Sequence, residues 1–517
     1  MTNETPAPKT PASTASNAPA APHRVGPAAN PNPSSPAASR RVPSFTPQPK
    51  AETRTKTVHW IMLGAIIILA LAVRAREPLS SPLIGAEDPY RHMERTWDLV
   101  QGKGFAEYPP GLNLVLLPFT FLGPDAFYVV SAYIPLVFGA VMVVGMFLLT
   151  RNYMHPAGAL VASLLVAVMP ETIRRTTLLF PTALDLALLP FLFLAILKVS
   201  QGNRRALVPA GALGGFLLIS HPWVAALLVP PLTVFALIMA YRTRPEWRKA
   251  VLGAFAVLGV VAVVGAFAFT RLKDILANPG ELATVPVFVD LPAMITYPAL
   301  VLAAIGLFLA IRRRDNFSLL ATLWTVMLLP LVLVDWLGMW YVPHRTIAYM
   351  ALGIAMLGAI PVGELLRLLK DARPQAQPSA TFGAVALALL VMTPTGLSVE
   401  PWYRTFTPQE LQAWNDLDDM GTVYVQAGSW EARTGYRAVT GRDANYNPGF
   451  FHDALTRDVT LRDHPGLVVL VDCHTAAEGN PTDFLAGWQL IKKWGDPSCP
   501  KDEYGNLMAG YSAAYRQ

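Results

Sequence analysis

The stretch "VHWIMLGAIIILALAVRA" (58–75) is the first of a series of long apolar runs that recur as far as residue 397. Each run approaches the ~20 residues that a helix needs to cross the hydrocarbon core of a bilayer. The whole chain of 517 residues is 53% hydrophobic and only 15% charged, with a mean hydropathy of +0.38. This composition excludes an ordinary soluble enzyme and predicts a polytopic α-helical membrane protein.

The apolar runs predict eleven membrane spans, with the bounds 58–75, 126–149, 157–172, 182–198, 206–220, 222–240, 250–270, 293–311, 317–335, 346–366 and 380–397. A further apolar stretch, "LNLVLLPFTFLG" (112–123), is shorter than a spanning helix requires. Counting it as a span would invert the side of every later loop. We therefore expect an interfacial or re-entrant helix on the outer side, and a true span is the alternative.

Basic residues in the loops fix the predicted sidedness. Arg151, "YRTRPEWRK" (241–249) and "RRRD" (312–315) all fall in loops that this count places inside, as the positive-inside rule expects. The N-terminus is then cytoplasmic and the C-terminus extracytoplasmic. The excess of basic over acidic residues, 41 against 35, accordingly reflects membrane orientation and does not indicate a nucleic-acid partner.

Two segments flank the spans. Residues 1–57 consist largely of Pro, Ala, Ser and Asn, which predicts a disordered cytoplasmic tail. Residues 399–517 contain the strand-like runs "TVYVQA" (422–427) and "GLVVLVDC" (466–473), with helix-like stretches at 408–417 and 481–488. They predict a small extracytoplasmic α/β domain after a transmembrane domain of residues 58–398. Both cysteines, Cys473 and Cys499, fall there, which fits one disulfide; two free buried thiols are the alternative.

The first outer loop, "IGAEDPYRHMERTWDLVQGKGFAEYPPGLN" (84–113), is rich in charge for a chain this apolar. Carboxylates close to a membrane are costly unless they are paired or functional. The oxygens of Glu87 and Asp88 suit Mg²⁺ or Mn²⁺, with coordination positions left for phosphate. The alternative is that Asp88, before Pro89, caps a helix that also carries His92.

A second outer loop, "PETIRRTTLLFP" (170–181), contains the pair Arg174 and Arg175. Arginines on the outer side run against the charge rule, so an anionic partner is expected. The guanidinium fork matches phosphate geometry. The alternative is that both side chains extend to lipid headgroups.

Other predicted outer loops bring Glu281, His221, His344 and Arg345 to the same side of the membrane. A histidine in such a position is more often a structural residue than a ligand. The spans themselves are nearly free of ionisable residues, whereas pumps and channels typically place such residues mid-span. The pattern therefore indicates a site at the outer membrane surface.

The order of these motifs resembles the GT-C glycosyltransferases, and most of all the catalytic subunit of oligosaccharyltransferase in its archaeal forms. The resemblance runs from residue 58 to about residue 450. It is carried by "DPYRH" and "YPPG" in the first outer loop, "MPETIRRTTLLFP" in the second, "PGELATVPVFVDLP" in a later one, and the late span "VPHRTIAYMALGIAMLGAIPVGELL".

The resemblance implies roles for individual residues. Asp88 would ligate a divalent metal and orient the acceptor, with Glu87 or Glu171 as further candidate ligands. The remaining matches are His92 after the acidic motif, Glu281 in the mobile outer loop, Arg345 on the late span, and Arg174 or Arg175 on the lipid-linked phosphate.

The sequence departs from that family at two places. Where the family has an acidic pair after its arginine, this chain has only Asp185. The family's acceptor-reading signature is also missing, and only Trp430 and Glu431 echo it. Trp430 is therefore a candidate for contacting the acceptor, whose class stays open.

The function that the sequence predicts is a membrane glycosyltransferase. It would move a sugar or oligosaccharide from a polyprenyl-phosphate or -diphosphate donor to a protein or a lipid or glycan acceptor, among membrane lipids on the outer face. The alternative of a different class is a polytopic transporter or flippase for a lipid-linked substrate. Inverted repeats and pairs of Gly-interrupted spans are typical of transporters, and the sequence shows neither.

Overall fold

The computed structural model describes residues 53–80, 84–85, 87–102, 109–244, 287–333, 341–372, 377–397, 399, 404–405, 408–419, 424–427, 467–472, 489–495 and 511–516. Several predictions concern residues outside these ranges: most of the N-terminal tail, the span 250–270, the helix 481–488, Glu281, Trp430, and both cysteines.

Helices make up most of the described chain. Their bounds are α1 Thr53–Ser80, α2 Glu87–Val100, α3 Gly111–Leu116, α4 Pro124–Arg151, α5 Pro156–Val168, α6 Pro170–Thr177, α7 Pro181–Ser200, α8 Leu207–Ser220, α9 Pro222–Thr243, α10 Val287–Ile295, α11 Tyr297–Arg313, α12 Asn316–Leu333, α13 Tyr341–Ala372, α14 Gln377–Leu397 and α15 Pro408–Asp419.

Five of the described helices are long and apolar enough to cross a membrane. The apolar segments are Val58–Arg76, Val129–Arg151, Pro181–Ser200, Ala226–Thr243 and Thr346–Leu369. A sixth crossing results if the bent pair α5 and α6 counts as one span. The protein is thus a helical membrane protein, as the sequence predicts, while the count of eleven spans stays a prediction.

The predicted span 157–172 is interrupted. Helix α5 ends at Val168, and α6 begins at Pro170 with its axis bent by 60°. Proline disfavours the helical conformation of the residue before it, and Met169 accordingly adopts an extended backbone with ψ 128°. The expectation that Arg174 and Arg175 lie in a loop is therefore wrong, because both are in the last turn of a helix.

The stretch 112–123 does not form a long helix. Helix α3 covers six residues and passes into a 3₁₀ helix of six more, Leu117–Leu122. At 1.5 to 2 Å of rise per residue this element is too short to cross a ~30 Å core. The structure agrees with the prediction that this stretch is not a full span.

The largest buried apolar cluster lies among the long helices, with members on α1, α4, α5, α7, α12 and α13. Small residues allow close helix contacts there. A Cβ on Gly158 of α5 would lie 2.8 Å from the carbonyl oxygen of Ala359 on α13. Close packing of this kind fixes the helices that carry the polar residues described below.

The described C-terminal elements are α15 and four strands: β3 Tyr424–Ala427, β4 Leu467–Asp472, β5 Gln489–Gly495 and β6 Tyr511–Arg516. They form a mixed sheet in the order β3-β4-β6-β5, with β3 parallel to β4 and the other pairs antiparallel. Helix 408–417 and strands 422–427 and 466–473 were expected at these places. That they form a separate outer domain stays a prediction.

The first predicted outer loop is joined to the C-terminal segment. Strand β1, Ile84–Gly85, pairs antiparallel with β2, Arg404–Thr405. The side chain of Arg76 also donates a hydrogen bond to the carbonyl oxygen of Leu397. A second buried apolar cluster contains Met93 of α2, Leu112 of α3 and Trp414 of α15. The strand pair and the apolar cluster therefore connect the acidic loop to the part of the chain that follows the last predicted span, and the Arg76 bond connects the helix before that loop to the end of the span.

Candidate active site: two adjacent buried polar clusters

The first polar cluster is on the short helix α6. Pro170 occupies its first turn, Glu171 lies in the same turn, and Arg174 and Arg175 lie in its last turn. This order suits a helix, because acidic groups are stabilised near the N-terminus and basic groups near the C-terminus. The Nε of Arg175 donates to Oε1 of Glu171 over 2.8 Å, and both side chains are buried.

Glu171 is only partly satisfied by this ion pair. Its side chain is fully buried, and its second oxygen, Oε2, has no hydrogen-bond partner among the described residues. A buried carboxylate oxygen without a partner is costly in a native protein and calls for an explanation. It is a candidate ligand atom for a substrate hydroxyl or a cation.

The second polar cluster joins three helices. The hydroxyl of Tyr349 on α13 donates to Oδ2 of Asp185 on α7 over 2.9 Å. The Nδ1 of His221 lies 3.2 Å from the same oxygen and 3.3 Å from the Tyr349 hydroxyl. All three residues are buried, and within the described ranges the other oxygen of Asp185, Oδ1, has no partner.

Helix ends position this second cluster. Asp185 lies one turn after the start of α7 at Pro181. His221 is the extended residue between α8 and α9, where Pro222 begins the next helix. The backbone of Tyr349 is held by the indole of Trp324 on α12, which donates to its carbonyl oxygen over 2.8 Å.

The two clusters adjoin. The Tyr349 hydroxyl is close to Thr182 and lies within electrostatic range of Arg175. One buried carboxylate, Glu171, is thus paired with Arg175, and a second, Asp185, accepts a hydrogen bond from a tyrosine that lies within electrostatic range of the same arginine. Such an arrangement can bind an anion through the arginine and orient a hydroxyl or amide through the carboxylates.

The "YPPG" motif of the first outer loop packs on the second cluster. A Cβ on Gly111 would lie 2.8 Å from both the Cβ and the backbone nitrogen of Ser220. Only a glycine allows the chain to approach that closely. Because Ser220 directly precedes His221, the end of the acidic loop is placed beside the Asp185–His221–Tyr349 cluster.

The other residues predicted for the site are placed in part. Glu87 and Asp88 form the first turn of α2, and His344 and Arg345 lie in the first two turns of α13, but their side chains are outside what the structure describes. Arg345 precedes Tyr349 by four positions, so the backbones of the two residues are one helical turn apart on one face.

Three further predicted residues have described side chains. His92 is buried on α2, where its carbonyl oxygen accepts hydrogen bonds from Thr96 and Asn113. Arg174 is half-buried on α6. His221, predicted for the outer rim, is instead a buried member of the second cluster.

Sequence reasoning missed three of the residues that the structure brings together or buries. Asp185 was noted only as the acid that remains where the related family has a pair, and Tyr349 carried no signal at all. Arg74 is fully buried in α1, although a charge inside an apolar run is itself a signal. The argument that the spans are nearly free of ionisable residues therefore overlooked Arg74 and Asp185.

A divalent-metal site does not emerge from the described side chains. They contain no group of three or more His, Cys, Asp or Glu residues that could hold a metal ion. The residues expected to bind one, Glu87 and Asp88, are outside this comparison because their side chains are not described. The two carboxylates of the buried clusters do not by themselves make up a ligand set for Mg²⁺.

Residues 109–267 match a family model described as dolichyl-phosphate-mannose-protein mannosyltransferase. The matched stretch includes Glu171, Arg175, Asp185 and His221, four of the five residues that form the two clusters. No curated protein sequence matches the chain significantly.

Two solved structures are similar over most of the chain. The oligosaccharyltransferase AglB from Archaeoglobus fulgidus, solved with an inhibitory peptide and a dolichol-phosphate, matches with a TM-score of 0.59 at 13% identity, over 89% of this chain and 74% of that one. ArnT from Cupriavidus metallidurans, solved with undecaprenyl phosphate, matches with a TM-score of 0.54 at 12% identity, over 90% of this chain and 98% of that one.

These matches confirm the resemblance that the sequence motifs indicated. The chain shares its fold with AglB and ArnT, as the resemblance to the GT-C glycosyltransferases predicted. The TM-scores of 0.59 and 0.54 establish the shared fold, whereas identities of 12 to 13% leave the substrates of this chain to be inferred from its own residues.

Proposed function

We propose that the protein is a membrane glycosyltransferase that takes its sugar from a polyprenyl-phosphate or polyprenyl-diphosphate donor. The observation that carries the proposal is the pair of adjoining buried clusters, Glu171–Arg175 and Asp185–His221–Tyr349, in which each carboxylate has one oxygen with no hydrogen-bond partner among the described residues. A GT-C fold provides the setting. AglB and ArnT were both solved with a polyprenyl phosphate, which supports this donor class.

The reaction requires charge stabilisation more than covalent chemistry. A nucleophilic oxygen or nitrogen of the acceptor attacks the anomeric carbon, the bond from that carbon to the lipid phosphate oxygen breaks, and the phosphate leaves as an anion. Arg174, Arg175 and Arg345 would bind the departing phosphate, because fixed guanidinium groups stabilise developing negative charge without reorganisation.

The acceptor loses one proton in this reaction, so the site needs a general base. Asp88 would orient the acceptor and take that proton, with Glu281 as a second candidate acid. An Mg²⁺ or Mn²⁺ ion on Glu87 and Asp88 would supply Lewis-acid stabilisation of the phosphate when bound.

The sidedness belongs to the same proposal. Eleven spans, with the N-terminus cytoplasmic, would place α2 and the C-terminal segment on the outer face. There residues 399–517 would form an extracytoplasmic domain that contacts the acceptor, with Trp430 as a candidate contact. The acceptor itself is a protein or a lipid or glycan.

The experiment is a transfer assay with the full chain in nanodiscs and radiolabelled polyprenyl-phosphate sugars. Asp88→Ala should abolish transfer, whereas Asp371→Asn, an exposed carboxylate at the end of α13, should leave it unchanged. Equal activity of Asp88→Ala and wild type would refute the role of Asp88.

A second arm tests the class of protein. The wild-type chain in proteoliposomes should not move a labelled polyprenyl-phosphate sugar between leaflets faster than empty liposomes. Movement of the lipid together with a complete lack of sugar transfer to protein, lipid and glycan acceptors would replace the proposal with a flippase.

A further inference from the structure

Arg74 is a buried cation for which the proposed reaction has no direct use. It lies in α1 with no exposed surface, and its guanidinium makes four hydrogen bonds. Nε donates to the Thr176 hydroxyl over 2.6 Å, and the terminal nitrogens donate to three backbone carbonyl oxygens, those of Ala70, Ala167 and Val166. Among the described residues, no carboxylate forms an ion pair with Arg74.

The partners of Arg74 lie on both sides of the break between α5 and α6. Val166 and Ala167 are in the last turn of α5, where carbonyl oxygens lack the usual partner further along the helix. Thr176 is in α6, beyond the bend. The guanidinium therefore caps the end of one helix over 2.8 Å and holds the next helix with the same side chain.

The neighbouring helix is adapted to this arginine. A Cβ on Gly139 of α4 would lie 2.6 Å from Nε and 2.7 Å from Cδ of Arg74. The Arg74 side chain therefore packs tightly between α4 and the bend that separates α5 from α6. Thr172 adds a second connection across the bend, because its hydroxyl donates to the carbonyl oxygens of Val166 and Met169.

A methionine could fill the same volume without the cost of burying a charge, which commonly exceeds what the contacts return. A guanidinium adds directional bonds to two helices at once. Helix α6 carries Glu171 and Arg175, and α1 leads to the loop that carries Glu87 and Asp88. Arg74 thus bonds the helix that precedes one set of candidate site residues to the helix that carries the other.

We propose that Arg74 is a positioning residue, which sets α6 relative to α1 and so places the arginines of α6 for the donor phosphate. This inference rests on the function proposed above. Arg74 does not touch the substrate; it acts through Thr176 and through the shape of the bend.

The test measures steady-state transfer as a function of donor concentration in nanodiscs. Thr176→Val removes the acceptor of the Nε bond. It should raise the KM for the polyprenyl-phosphate sugar roughly tenfold, the effect of losing one hydrogen bond to a charged group, with little change in kcat. A variant that only lowers the folded fraction would lower the apparent kcat and leave KM unchanged.

The matched control is Thr177→Val on the next residue. Its hydroxyl makes the same kind of intrahelical bond, to the carbonyl oxygen of Ile173 over 2.7 Å, as that of Thr176 makes to Thr172. Thr177→Val should therefore leave the donor KM near the wild-type value. Equal donor KM values for the two threonine variants would overturn the proposal.

Variants of Arg74 itself give a second measurement. Arg74→Met should raise the donor KM at least as much as Thr176→Val does. Arg74→Lys keeps an ammonium group that can donate to some of the same carbonyl oxygens, so its donor KM should lie close to the wild-type value. If Arg74→Met fails to fold, the threonine pair alone decides. A wild-type chain that transfers no sugar would refute the proposed function, whereas an active wild type with an unchanged Thr176→Val would refute only the role of Arg74.

Discussion

The hydroxyl of Tyr349 donates a 2.9 Å hydrogen bond to a carboxylate oxygen of Asp185, although the two residues are 164 positions apart in the chain. His221 lies within hydrogen-bond distance of both. The two contacts occupy one oxygen of Asp185 and hold the carboxylate in one orientation. The other oxygen is consequently presented in a fixed direction, as a site group needs to be.

Substitutions at these residues should reduce activity in a graded way. Asp185→Asn removes the charge and should lower transfer by about tenfold to a hundredfold, the effect of losing hydrogen bonds to a charged group. Tyr349→Phe removes one of two contacts to the same oxygen and should cost about tenfold. The measurement is kcat/KM for the donor.

The control for that series is Tyr241→Phe, which removes a hydroxyl from an exposed tyrosine on α9. It should retain wild-type kcat/KM. If Tyr349→Phe and Tyr241→Phe were equally active, the Asp185–Tyr349 bond would be structural and without effect on the reaction.

The ion pair of α6 should show strong coupling in stability. Arg175→Met removes the cation bonded to the buried Glu171 and leaves only the weaker electrostatic influence of Arg174, which should lower the free energy of unfolding by about 3 kcal/mol. The double variant Glu171→Gln/Arg175→Met should lose less than Arg175→Met alone, because no isolated charge remains. Denaturant unfolding in detergent micelles measures both.

An exposed ion pair provides the comparison. Arg367 bonds Glu364 three residues earlier, and its side chain is 54% exposed, so Arg367→Met should cost at most about 1 kcal/mol. Additive losses for Glu171→Gln and Arg175→Met would contradict the coupling.

The contact between Gly111 and Ser220 predicts an effect of a single added methyl group. Gly111→Ala would place a Cβ 2.8 Å from the Ser220 backbone nitrogen, and relieving such overpacking should cost about 1–3 kcal/mol. Because the strain falls next to His221, transfer activity should drop with it. Gly64→Ala, at a helical glycine with nothing within 4 Å of the added carbon, should be neutral, and a similar loss there would refute the packing argument.

The C-terminal sheet should lose stability in acid. Hydrogen bonds from Lys492 and then from Trp494, the latter 2.6 Å long, lower the pKa of Asp416 below its ordinary value of 3.8. A carboxylate whose pKa is lower in the folded state stabilises the fold above the ordinary pKa. That contribution is lost as the pH falls through the lowered value.

Tryptophan fluorescence of unfolding between pH 5 and pH 2, compared with Asp416→Asn, measures this loss. The variant should show a smaller acid dependence than wild type. Identical pH profiles would show that the Asp416 bonds do not contribute.

Structure that forms between neighbouring residues could be predicted from the sequence, and contacts between distant residues could not. Helices such as α4 and α7 follow from uniform apolar runs, and the strands β3 and β4 from short β-branched ones. The bend before α6 had a signal in Pro170, but the surrounding apolar residues read as one continuous span. His221 lies 36 residues from Asp185 and 128 from Tyr349, and nothing in a single sequence shows that such residues meet.

The charge pattern of the sequence singled out Arg174 and Arg175 as candidate site residues, but it did not show how each of them is bonded. The sequence placed them in a loop, whereas the pairing of Arg175 with Glu171 depends on α6 being a helix, which puts residues four apart on one face. Arg74 had the clearest signal of all, a cation within an apolar run. Its meaning needed the three-dimensional break that it caps.

The pairing of β1 with β2 joins the segment after the last predicted span to the loop after the first one. Helix α2 begins at Glu87, two residues after the strand that Arg404 and Thr405 complete. A shortened chain that stops at Leu397 would keep every apolar helix described here and yet lose the template that sets where α2 starts. Replacing the C-terminal segment with that of a relative would in the same way change where α2 begins. A graft at this junction therefore alters the acidic loop as well as the C-terminal segment.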